Sequence, residues 1–125
     1  MNRQEVFNTI VNHARQQKCR SIEKTGFLCL YRLNRNATDK IRCFIGALIK
    51  DEHYTEYLEN KTIYDPEIKN ALKLSGIGIS IDNYDDDDVF LIDIQRIHDD
   101  CNPDEWEINF KECAEKYSLI YSQPY

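Results

Sequence analysis

The chain has 125 residues, of which 42% are hydrophobic and 30% charged, and its formal net charge is −6. A chain of that length buries roughly two-thirds of its unfolded surface around one core, so a single domain over residues 1–125 is expected. The acidic balance argues against direct nucleic-acid binding, because a grip on phosphates needs a net basic face.

No apolar run approaches the roughly 18 residues of a membrane span, and the N-terminus lacks the uninterrupted apolar core of a signal peptide. The expectation is a cytoplasmic protein with no membrane partner. The cysteines, Cys19, Cys29, Cys43, Cys101 and Cys113, are odd in number and form no Cys-x-x-Cys pair. That pattern predicts reduced thiols rather than a disulfide framework.

In chain order, Val6, Phe7, Ile10, Val11 and Ala14 recur at helical spacing between Arg3 and Gln17, and Asn2 with Glu5 offers a capping box. Phe27 to Leu33 and Ile41 to Phe44 read as two strands of a hairpin around the polar turn 34–39. Phe44, Ile45, Leu48 and Ile49 then lie one turn apart, which predicts a strand-to-helix transition at Cys43 to Gly46. The polar stretch Asp51 to Asn60 suits a short helix or ordered loop anchored by Tyr54, Tyr57 and Leu58.

Asp65-Pro66-Glu67 opens a further helix with Asp65 as its cap and Ile68, Ala71, Leu72 and Leu74 on its buried side, stopped by Gly76 and Gly78. The aspartates 85–88 sit at the start of a helix whose apolar residues are Val89, Phe90, Leu91, Ile94, Ile97 and Cys101. After Asn102-Pro103-Asp104-Glu105, a last helix carries an aromatic stripe of Trp106, Phe110 and Tyr117 with Cys113, and the tail from Ser118 is expected to fray. Together these elements predict an α+β fold, four or five helices around a small antiparallel β-hairpin, with the Cys43 to Tyr54 corner packed on the helix of His98.

The order Cys29-x-Tyr31-Arg32, then Arg42-Cys43-x-x-Gly46-Ala47-Leu48-Ile49-x-Asp51-Glu52-x-Tyr54, then Gln95-x-x-His98-Asp99 and Trp106, resembles a group of small uncharacterised phage and prophage-type bacterial proteins. The chain departs from that group at Lys50, where the group has proline, and in a longer Asn-rich turn. The resemblance implies a shared fold and a phage or mobile-element setting, and it carries no established activity with it.

Candidate chemistry falls on the same residues. A cysteine at a helix start and an imidazole would make a thiol-dependent hydrolase or transferase of Cys43, His98 and Asp99, although neighbours on a helix point about 100° apart, which sets Asp99 badly for holding the ring. Cys29, Cys43, His98 and Cys101 would supply the four ligands of a zinc-stabilised module, but not at the short paired spacing of known zinc knuckles, and no metal or cofactor is expected.

Tyr31, Arg32, Arg42, Asp51, Glu52, Tyr54 and Trp106 mix aromatic and charged types found at the centres of protein interfaces. The sequence therefore favours a non-catalytic protein-binding or accessory module, its partner a host or phage protein. Its basic residues gather in the first third and its acids in the last half, a dipolar distribution of the kind two solvated faces would give.

Overall fold

The computed structural model describes residues 2–22, 30–33, 41–77 and 86–123, with the backbone alone at 33 and 86–88. Four α-helices carry the described fold: α1 (Arg3–Gln17), α2 (Pro66–Leu74), α3 (Asp86–Asp100) and α4 (Trp106–Lys116). Strands β1 (Arg32–Leu33) and β2 (Ile41–Arg42) pair antiparallel, Arg32 opposite Arg42 and Leu33 opposite Ile41. The fold is thus helix-rich, and the β component is a minimal ladder rather than the centre of an α+β domain. Cys43 and Phe44, expected to continue the second strand, have already left it, because their side chains are drawn into the helical core.

That core is formed by one face from each helix. Helix α1 buries Val6, Phe7, Ile10, Val11 and Ala14, and its start has the capping box, Glu5 N–H donating to Asn2 Oδ1 at 2.8 Å and Asn2 N–H to Glu5 Oε1 at 3.3 Å. Helices α3 and α4 pack on each other, and α1 packs on a 3-10 turn at Gly46–Leu48. Phe44 is fully buried where these elements meet, its ring centroid 5.0 Å from Trp106, 5.2 Å from His98 and 5.5 Å from Phe110. Such aromatic pairs contribute about 0.5–1.5 kcal/mol each beyond their area.

Several local expectations are corrected. Asp65 does not cap α2 with its side chain; its carboxylate turns back to accept from Thr62 N–H at 2.6 Å. Leu74 is 53% exposed, because the chain reverses directly after it, at Gly76 with φ +91°, and Ile77 takes the buried place with its N–H donated to Leu72 O at 3.0 Å. The stretch 51–60 forms two 3-10 turns, Asp51–His53 and Glu56–Leu58, of which Leu58 is buried and Tyr57 stands out in solvent.

Nor does the tail fray over its described residues. Gln4 clasps Ile120 through both amide atoms, Nε2 to the carbonyl at 3.0 Å and Oε1 from the N–H at 2.8 Å. Among the described residues no helix is long and apolar enough to cross a membrane. Residues 27–29, the turn 34–39, Gly78 and Asp85, on which earlier expectations fall, lie outside the described residues, as do the side chains of 86–88.

Candidate functional site

The expected meeting of the cysteine corner and the histidine helix is present. Where the chain leaves β2, it forms no further ladder, so its backbone groups find partners one by one. Cys43 N–H donates to Tyr31 O at 3.2 Å, Gly46 N–H to Cys43 Sγ at 3.3 Å, and Ile45 N–H to Gln95 Oε1 at 2.8 Å. A Cβ on Gly46 would stand 2.1 Å from the Tyr31 carbonyl oxygen, so only glycine lets the two segments approach this closely.

His98 is fully buried, in edge contact with the Phe44 ring and stacked on the Trp106 indole at 6.1 Å. Its Nε2 accepts the Ser21 N–H at 2.8 Å, which leaves the ring proton on Nδ1, donated to Asp99 Oδ1 at 2.8 Å. Asp99 therefore does hold the ring, contrary to the expectation from helical geometry. The imidazole is turned by its aromatic neighbours until Nδ1 comes within reach of the next side chain along, which the 100° rule between backbone positions does not exclude. Gln95 Nε2 donates to the same Asp99 oxygen at 2.8 Å, and Arg20 closes the C-terminal end of α3 by donating to the carbonyls of His98 and Asp99.

This arrangement is chemically quiet. The basic lone pair of His98 is occupied by a backbone amide, so the ring has none to offer a thiol, a water or a metal. Burial pushes the Cys43 thiol far up from its ordinary pKa, and although the Gly46 N–H pulls it down, the Asp99 and Glu59 charges add to the rise. A thiolate nucleophile needs the opposite environment. Among the described residues no three His, Cys, Asp or Glu side chains are grouped to hold a metal; Cys29, one of the four zinc candidates, lies outside them.

The aromatic and charged set divides. Tyr31, Arg32, Arg42, Asp51 and Tyr54 come together: Asp51 Oδ1 bridges Arg32 at 2.9 Å and Arg42 at 2.8 Å, and the Arg32 guanidinium lies 4.3 Å from the Tyr54 ring centre. The two guanidinium charges hold the Asp51 carboxyl below its ordinary range. Arg32 also donates to Ile49 O at 2.8 Å. Glu52 stands outside the cluster, exposed, and Trp106 is buried in the core.

Beneath the cluster lies a residue that the sequence reading passed over. Glu59 accepts from Tyr31 N–H at 2.9 Å, Arg32 N–H at 3.2 Å and the Tyr54 hydroxyl at 2.5 Å. Burial first, then this carboxylate, raises the Tyr54 pKa. No local signal marks Glu59 among the other acids of its polar segment. Ser21 was missed in the same way, since it contributes only a backbone amide.

Beside this network, between α3 and the Asn60–Tyr64 segment, runs a cleft of about 320 Å3 whose walls include Tyr31, Cys43, Ile63, Leu91 and Arg96. In comparisons with known proteins, no family model, no curated protein and no solved structure matches the chain.

Proposed function

We propose that this chain is a small non-catalytic binding protein that engages a host or phage protein through the face built by Arg32, Arg42, Asp51 and Tyr54, together with the exposed Glu52 and Tyr57 that follow Asp51 and Tyr54 in the chain. The observation that carries the reading is how the chemically able groups are used: His98 Nε2 is taken by the Ser21 amide and Cys43 is buried. Both support a binding role over thiol chemistry. The charged face is held in one geometry by the double bridge of Asp51, whose side chain is still 71% exposed, so little conformational freedom is lost on docking. Tyr57, 85% exposed, supplies an aromatic anchor of the type that dominates interface energetics. The phage or mobile-element setting is the part of the reading that rests on the resemblance of the motifs.

The test is partner capture by crosslinking in the native host, comparing the natural chain with Glu52→Lys and Tyr57→Ser. Both positions are exposed, so folding should be unchanged. One defined partner, kept by the natural chain and by Cys43→Ala and lost by the two face variants, is the expected result. Ester or thioester turnover that disappears in Cys43→Ala would overturn the reading, as would capture indifferent to the face variants.

A further inference from the structure

We propose that the cleft between α3 and the Asn60–Tyr64 segment is a binding site for a small organic anion with an apolar ring or branched body and one acidic head group, a site separate from the docking face above. The cleft measures about 320 Å3, at the lower end of the range of roughly 300–1,000 Å3 typical of small-molecule sites. Its apolar lining comes from Ile45, Ile63 and Leu91, all buried, with Ile92 partly buried.

The polar groups of its wall are largely engaged within the protein. The Tyr31 hydroxyl donates to Lys61 O, and the Lys61 ammonium stands 3.9 Å from Glu67. Gln95 uses its oxygen on Ile45 N–H and its nitrogen on Asp99. Arg96 differs: it is exposed at the rim and makes no hydrogen bond or ion pair among the described residues. The carboxylate one turn before it, Asp93, feels the Arg96 charge but accepts its hydrogen bonds from Lys116 at 2.7 Å and from the Tyr117 hydroxyl.

An apolar floor with one guanidinium at its lip selects for a ligand of matching polarity. Carboxylates and other oxyanions pair with the two-pronged guanidinium donor set, whereas a cation would meet Arg96 at the entrance. Asp99, also in the wall, disfavours an anionic group at its position and so directs the head group to Arg96. The size of the cleft limits the body to a few rings.

The probe is 8-anilinonaphthalene-1-sulfonate, an apolar aromatic body with a single sulfonate, titrated by fluorescence against the purified full chain. Saturable binding of one equivalent to the folded protein is expected. Arg96→Glu should weaken it at least about tenfold, the loss of one charge-assisted contact, and Ile92→Glu should abolish it. Ile108→Glu, on the exposed face of α4, should leave it unchanged, with circular dichroism showing that all variants fold. N-phenyl-1-naphthylamine, which lacks the sulfonate, should bind at least about tenfold more weakly than the anion. Absence of saturable binding, equal binding by the three variants, or equal affinity for the neutral probe would each overturn the proposal. Because no partner protein takes part, failure here leaves partner capture through Glu52 and Tyr57 standing, and the reverse also holds.

Discussion

The Cys43 corner and the C-terminal tail are held by the same physical means, yet they look opposite in sequence. The corner concentrates cysteine, histidine, arginine and glycine, as an active site does, and its polar side chains serve the chain's own backbone: Cys43 takes the Gly46 amide, His98 the Ser21 amide, Arg32 the Ile49 carbonyl and Gln95 the Ile45 amide. The tail carries no such residues and is nevertheless docked, by Gln4 on Ile120, by Arg15 on Ser122 O, and by Tyr121 donating to Glu107 at 2.6 Å. Buried irregular chain must pair its amides with something, and side chains do that work wherever helices and sheets end. Unusual residues crowded at one place therefore signal unusual backbone needs as readily as they signal catalysis.

The comparison predicts that damage to the corner is global and damage to the tail local. Phe44→Ala removes the ring that three other rings contact and should cost about 3–5 kcal/mol, read as a shifted urea midpoint of the whole transition. Gly46→Ala forces a Cβ against the Tyr31 carbonyl and should cost about 1–3 kcal/mol or more; an unchanged midpoint would mean that the two segments do not meet as described.

His98→Phe keeps a flat ring between Phe44 and Trp106 but orphans the Ser21 amide, for a loss of about 1–3 kcal/mol. Amide exchange at Ser21 separates that effect from simple repacking. Gln4→Ala exposes the Ile120 clasp to water and should cost about 1 kcal/mol or less, with faster exchange at the Ile120 amide and the corner amides unaffected.

The smallest expected effect is one of pH. Burial lowers the pKa of His13, and the charge of Arg42 adds to this, against an opposing hydrogen bond to the Arg42 carbonyl. A histidine whose pKa is depressed on folding binds protons more readily in the unfolded chain. Its contribution to stability is therefore complete above its unfolded pKa of about 6.5 and is lost as the pH falls from there through the lowered folded value. The urea midpoint should decline over that window in the natural chain and decline less in His13→Gln; equal slopes would contradict the assignment.

Much of this architecture was legible beforehand because its causes are local. The capping box of Asn2 and Glu5 and the apolar spacing of α1 lie within one helix, and the run from Phe44 to Ile49 announces a buried corner wherever it packs. What escaped was set by distance or by side-chain reach. Nothing near Ile120 points to Gln4, more than a hundred residues away, and nothing near Tyr31 points to Glu59. Backbone direction alone argues against Asp99, whereas its bond to His98 depends on how neighbouring rings turn the imidazole. Periodicity places Leu74 inside because it takes no account of where the chain reverses.

Helix α1 carries a second clasp like that of Gln4. Gln17 accepts the Arg42 N–H and donates to the Arg42 carbonyl, both at 2.8 Å, so its amide stands in for the neighbouring strand that, among the described residues, β2 lacks on that side. Deamidation to glutamate would place a second acceptor against that carbonyl and so loosen the hold of α1 on β2.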